Sequence, residues 1–236
     1  MVGRVAALTG ITAADWRRLR KAFPALPAGA GGLAAARRLL LARLASRRLS
    51  SGRWSARLDG APPRPAPTVY VSAHLGSLQA LRYTLRARGI PVANGLGPYN
   101  LERPEAERQD RIFDARHPLD FPHVFAAGRV HRLRTGLRRG SLILAADLPE
   151  GRGVEFEFLG GRVRLDPRPF RLARAVGVPC RPAFLTLPFG RWTLTLGDVL
   201  PADEAAAMEA YARCLGRVAA RSPLDLDGAV YLRLSS

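Results

Sequence analysis

Lysine is almost missing from this chain: of 37 basic residues in 236, only Lys21 is a lysine and 36 are arginine. Cysteine is as scarce. Cys180 and Cys214 stand alone without a CxxC spacing, which excludes a disulfide scaffold and the common structural zinc sites. Long hydrophobic runs are absent too. The longest stretch free of Asp, Glu, Lys and Arg, residues 65–81, has 17 residues and contains two prolines and His74, so it does not read as a membrane span. No GxSxG, P-loop or GxGxxG occurs, leaving α/β-hydrolase, P-loop and dinucleotide-binding readings without local support. The first residues lack the charged start, apolar block and cleavage site of a signal peptide, and a cytoplasmic chain is expected.

What is present is a globular composition, 47% hydrophobic and 24% charged, with a net charge of +18. The arginines are spread almost evenly, but the acids are not. Residues 1–67 hold only Asp15 and Asp59 against thirteen basic side chains, a net of +11, while the rest of the chain carries +7. The basic excess therefore marks an N-terminal arm, expected over residues 1–60. In it, Thr12 to Asp15 reads as a helix start leading to Trp16 and an Arg-rich helix to about Phe23, broken by Pro24 and Pro27. A second helix is expected over 33–49, with Leu33, Leu40 and Leu44 in one arc. It is either packed on its own domain or laid on an interface with its arginine stems beside the stripe. Residues 61–67, Ala-Pro-Pro-Arg-Pro-Ala-Pro, read as an extended connector. If the arm is a separate unit, deleting residues 1–60 leaves the remainder folded.

From residue 68 onward strands alternate with helices. Strands are expected at 68–72, 141–146, 154–158, 162–165, 182–187 and 191–196. Helices are expected at 77–88 (Leu78, Leu81, Leu85), 129–139, 169–176 and 203–221 (Met208, Tyr211, Leu215, Val218). This order implies an α/β domain over 68–236, a central mostly parallel or mixed sheet flanked by helices. The stretch 101–123 gives no clear reading.

Among the four histidines, His74 stands out because it follows a strand and precedes a helix, in Val71-Ser-Ala-His74-Leu-Gly-Ser-Leu-Gln79. A side chain at a strand's carboxyl end is well placed for chemistry. Gly76 lets another group approach the backbone, and the helix start offers N–H groups to a developing oxyanion. The plainer alternative is a histidine that only caps the turn. His117, His123 and His131 show no metal-ligand spacing, so no metal is assigned, and Cys180 reads as a small core residue.

These blocks resemble the lysophospholipid acyltransferase-like superfamily, specifically its late lipid A (lauroyl/myristoyl) acyltransferase branch. His74 sits on the histidine of the family's HX4D/E motif and Gln79 on its acid. Leu137-Arg-Arg-Gly140 before Leu142-Ile-Leu-Ala-Ala-Asp147, Gly153-Val-Glu-Phe-Glu-Phe-Leu-Gly160, and Phe170 to Pro179 followed by Arg181-Pro-Ala-Phe184 are similar to further family blocks, in order, over roughly residues 68–200. The resemblance implies a glycerolipid-acyltransferase-like fold and a histidine base that deprotonates an acceptor hydroxyl for attack on an acyl thioester. No resident cofactor is implied; acyl carrier protein or CoA carries the donor acyl group.

The chain departs from the family at Gln79 in place of the carboxylate, at Leu148 after Asp147, and in carrying Asp225-Leu-Asp-Gly-Ala-Val-Tyr-Leu-Arg where the family has a Trp-rich C-terminal segment, and it is expected to lack the family's N-terminal membrane anchor. An amide can fix the imidazole tautomer but cannot stabilise an imidazolium. The chain is then a slow transferase relying on His74 and Gln79, one with Asp147 or Glu150 as replacement acid, or a member that has lost catalysis. Pro149-Glu-Gly-Arg152 is similar to the family's phosphate-binding motif without its threonine, which makes Glu150 and Arg152, with Gly76 and Asp147, candidate supporting or substrate-binding residues. The plainer reading of Asp147 is a turn cap.

Three functions follow. The first is a peripheral acyltransferase on the inner face of the cell membrane, with an anionic membrane surface, a thioester donor and a lipid or glycolipid acceptor as partners. The second is a lipid-binding or assembly protein that has lost catalysis on the same fold. The third, suggested by the net charge alone, is a nucleic-acid binder, which the sparse aromatics (7%) and absent binding motifs argue against.

Overall fold

The computed structural model describes residues 13–27, 44, 47–49, 51–53, 55–63, 66–96, 111–112, 115–116, 124–126, 130–147, 153–188, 191–226 and 231. Nine strands and five α-helices have both ends among them. The strands are β1 (Arg57–Asp59), β2 (Val69–Ser72), β3 (Val92–Leu96), β4 (Val124–Ala126), β5 (Ser141–Ala145), β6 (Val154–Phe158), β7 (Gly161–Leu165), β8 (Cys180–Thr186) and β9 (Thr193–Leu196). The helices are α1 (Ala13–Ala22), α2 (Leu78–Arg86), α3 (Val130–Leu137), α4 (Arg168–Val176) and α5 (Glu204–Arg221).

Seven strands form one sheet in the order β1-β9-β8-β2-β5-β3-β4, and β6 and β7 form a separate antiparallel hairpin. All neighbours in the large sheet run parallel except β8 and β9, so the sheet is mixed. The central strands are buried on both faces, which is why 141–145 reads as a continuous Ser-Leu-Ile-Leu-Ala run without alternation. One face, with Tyr70, Ile143, Val92 and Leu185, is covered by Leu81 and Leu85 of α2. The other, with Val69, Val71, Leu142, Leu144 and Phe184, packs on α1, α4 and α5.

Local chemistry sets the helix ends. Ser77 caps α2 by accepting from the Ala80 amide at 3.2 Å, and Asp203 caps α5 by accepting from the Ala206 amide at 2.9 Å. Gly177 ends α4 in the left-handed conformation at φ 73°. Arg171 on α4 grips Glu204 on α5 with two bonds of 2.9 and 2.8 Å, which holds the Glu204 carboxyl below its ordinary range.

The N-terminal segment is not a separate unit in its packing. Trp16, Leu19, Phe23 and Leu26 are buried in the same core as β2, β5 and α5. Phe23 meets Phe158 edge-on at 5.5 Å, and Phe158 stacks on Tyr231 at 5.6 Å. The sheet itself begins inside the expected arm, because β1 pairs with β9. Part of the connector is tied down as well. The buried Arg181 donates to the carbonyls of Ala61 (2.9 Å), Pro62 (3.3 Å) and Gly197 (2.5 Å), and Arg88 donates to Ala56 at 2.8 Å. Arg181 and Arg88 thus serve as cross-braces to backbone oxygens. Residues 33–43 of the second expected helix lie outside the described residues.

Deletion of residues 1–60 is therefore expected to unfold the protein, and the surface patch must be tested by substitution. Phe23→Ala is expected to cost about 3–5 kcal/mol in chemical denaturation, since it empties a fully buried aromatic site. Arg17→Ala, on the exposed side of the preceding helix α1, is expected to stay within about 0.5 kcal/mol.

Candidate functional site

The register of the two central strands builds the site. Ser72 of β2 lies opposite Ala145 of β5, so two residues further along each chain bring His74 and Asp147 to the same sheet edge and the same face. Asp147 is fully buried, and both of its oxygens face His74. Oδ2 accepts from the His74 amide at 2.6 Å, and Oδ1 is 2.8 Å from the ring Nδ1. A neutral His74 in this arrangement carries its proton on Nδ1, donated to Asp147, and its lone pair on Nε2. The side chain of His74 remains 20% exposed. A buried carboxylate against a partly accessible imidazole has the geometry of a general base and its orienting acid.

Gln79 does not take that place. Its amide nitrogen donates to the Tyr83 hydroxyl at 2.8 Å, one helical turn along α2. Of the expected partners for the His74 ring, the described contacts bring Asp147, from the end of β5, to the imidazole and turn Gln79, in the first turn of α2, to Tyr83. Asp147 is also more than a turn cap, since it holds both the backbone and the ring of His74. Glu150, Arg152 and Leu148 lie outside the described residues.

The loop carrying His74 is held from several sides. Gly76 has φ 78°, and a Cβ there would overlap the Leu185 carbonyl oxygen, so glycine is required for the close approach. The Gly76 amide donates to the Asp225 carbonyl at 2.8 Å and the Ser77 amide to the Leu185 carbonyl at 3.2 Å. Beneath the loop, the buried Tyr211 hydroxyl donates to the Ser72 carbonyl at 2.6 Å. Burial first, and the nearby Asp147 charge second, push the Tyr211 hydroxyl well above its ordinary range, so it stays a neutral donor. Sequence reasoning placed Tyr211 only in an apolar helix stripe and gave Tyr83 and Asp225 no role at the site. Their part depends on tertiary contacts that no spacing encodes.

Other candidate chemistry is weak. Burial pushes the Cys180 thiol up to about 12 and raises Cys214 as well, which disfavours the thiolate at both. Among the described residues no group of three His, Cys, Asp or Glu side chains could hold a metal. A groove of about 1210 Å³ lies between the β6–β7 hairpin and α5, lined by Phe156, Leu159, Val199 and Arg213, but neither His74 nor Asp147 lines it.

Two outcomes are expected. Gly76→Ala is expected to destabilise in urea titration by clearly more than Gly89→Ala. Both glycines have positive φ, but an added Cβ at Gly89 meets nothing within 4 Å. Gly89→Ala should cost only about 1–2 kcal/mol of conformational strain. Folded protein is expected to resist thiol-directed reagents at neutral pH until it is unfolded, measured as the labelling rate of Cys180 and Cys214. No protein-family model matches the chain, and no curated protein matches it.

Proposed function

We propose that this protein is an acyltransferase that moves a fatty acyl group from a thioester, on acyl carrier protein or CoA, to a hydroxyl of a lipid or glycolipid. The observation that carries this reading is the 2.8 Å contact between His74 Nδ1 and the fully buried Asp147, which supplies the acid that Gln79 cannot. In the proposed reaction Nε2 of His74 takes the proton of the acceptor hydroxyl as its oxygen attacks the thioester carbonyl. The carbon–sulfur bond then breaks, and the departing sulfur receives the proton from the imidazolium. Asp147 fixes the tautomer at the start and stabilises the imidazolium in the middle. The family resemblance of His74, Asp147 and the later blocks supports the choice of acyl chemistry.

Membrane association belongs to the same proposal. Among the described residues no helix is long and apolar enough to cross a membrane. Helix α1 turns Trp16 and Leu19 inward and leaves Arg17, Arg18 and Lys21 exposed, so this face meets a surface by charge alone. Each basic side chain near an anionic bilayer is worth about 1 kcal/mol, a salt-sensitive attraction. Reversing Arg17, Arg18 and Lys21 to glutamate is expected to abolish co-sedimentation with phosphatidylglycerol vesicles without changing the circular dichroism spectrum. Unchanged binding removes this face from the account.

Transfer from a long-chain acyl thioester to lipid acceptors tests the chemistry. His74→Ala is expected to remove it, and Asp147→Asn to lower turnover by roughly 10²–10⁴, as when an amide replaces the acid of a serine-protease triad. Gln79→Glu is expected to leave turnover flat or lower it, because Asp147 already fills the role. A rise with Gln79→Glu, or full activity in Asp147→Asn, contradicts the assignment. No transfer by the unaltered protein with either donor class favours the lipid-binding reading.

A further inference from the structure

The C-terminal segment reaches the histidine loop from 151 residues away. After α5 the chain makes a 3₁₀ turn, Pro223–Asp225, whose last residue is 2% exposed. The Asp225 side chain points to one neighbour and its backbone to another. Oδ2 accepts from the Leu187 amide at 2.5 Å, at the exit of β8, while its carbonyl accepts from the Gly76 amide at 2.8 Å. The next residue, Leu226, forms an isolated antiparallel bridge with Leu75, and Gly76 forms a parallel bridge with Leu185 of β8. Leu75 and Leu226 are both buried. The loop after His74 is thus wedged between the end of β8 and the chain's last segment, and Asp225 joins those two walls.

On the other side of His74 stands Asp147. The backbone around the ring is held on both sides, by Asp147 at the His74 amide, by Leu226 at Leu75 and by the Asp225 carbonyl at Gly76. A displacement of about 1 Å in such an arrangement can cost about 10²-fold in rate, because the hydroxyl, base and thioester carbon must be aligned together. A bond from a backbone N–H to a charged carboxylate is stronger than one to a neutral oxygen, so residue 225 gains stiffness from being an acid.

We propose that Asp225 is a positioning residue: its carboxylate locks the segment after α5 onto β8, and its carbonyl thereby holds the Gly76 loop so that His74 stays aligned with Asp147. The catalytic part of this proposal rests on the acyltransferase reading above, while the alignment of His74 does not.

The test compares the unaltered protein, Asp225→Asn and Asp225→Ala by kcat, KM and the NMR signal of the His74 Nδ1 proton, identified by its loss in His74→Ala. Asp225→Asn keeps an acceptor oxygen without the charge, and its kcat is expected to fall about 3- to 10-fold. Asp225→Ala is expected to lose about 10- to 100-fold in kcat. KM should stay within about twofold in both, because the bracket orients the base and does not bind substrate. The Nδ1 proton signal should weaken and broaden in the same order as its bond to Asp147 loosens. If Asp225→Ala does not fold, Asp225→Asn carries the test alone. A lowered melting temperature with unchanged kcat and an unchanged proton signal overturns the proposal and leaves Asp225 a purely structural tie. If the unaltered protein shows no transfer, the acyltransferase reading fails, and the proton signal across the series still decides the bracket.

Discussion

Asp147 is the constraint on which the site depends. A carboxylate shut away from water must be met by donors, and here one residue supplies two, the amide and the ring of His74. The pairing fixes imidazole orientation and loop path together. It needs no local motif, because it follows from β2 and β5 lying parallel with Ser72 opposite Ala145. Every element that secures those two strands therefore secures the dyad. That includes the α2 cluster on one face and the larger core of α1, α4 and α5 on the other.

In α2 the side chains at 79 and 83 share a helix face, and the Gln79 amide finds the Tyr83 hydroxyl there. With the Nδ1 of His74 already held by Asp147, residue 79 is free to become part of the helix surface. Basic residues are reused in a similar way. Arg181 and Arg88 bind backbone carbonyls and brace the N-terminal segment against the sheet, while Arg17, Arg18 and Lys21 remain on the surface.

Much of the fold was legible in the sequence because its elements carry clear periodicity and punctuation. The α2, α4 and α5 helices show apolar stripes with Ser77, Gly177 and Asp203 at their ends, and the β6–β7 hairpin shows alternation around a Leu159-Gly160 turn. Strands β1, β3 and β4 were not legible. Val92-Ala-Asn-Gly-Leu has an Asn-Gly pair that reads as a turn, yet it pairs with β5 and β4. Three-residue β1 sits in a basic, proline-bordered stretch whose strand character comes only from pairing with β9. His74 was legible from its position after β2, and Asp147 was visible as a candidate. Which of Gln79 and Asp147 touches the His74 ring was not, since it turns on strand register. Asp225 left no signal at all, because its partners Leu187 and Gly76 offer backbone amides that any residue possesses.

The most direct test of the central claim is a structure of the protein with an unreactive donor analogue, a long-chain ketone in which methylene replaces the thioester sulfur. The account predicts the ketone carbon beside His74, within about 4–5 Å of Nε2, leaving room for an acceptor oxygen within hydrogen-bond reach of that nitrogen. An analogue seated instead in the groove between the β6–β7 hairpin and α5, with nothing bound near His74 and Asp147, would contradict it.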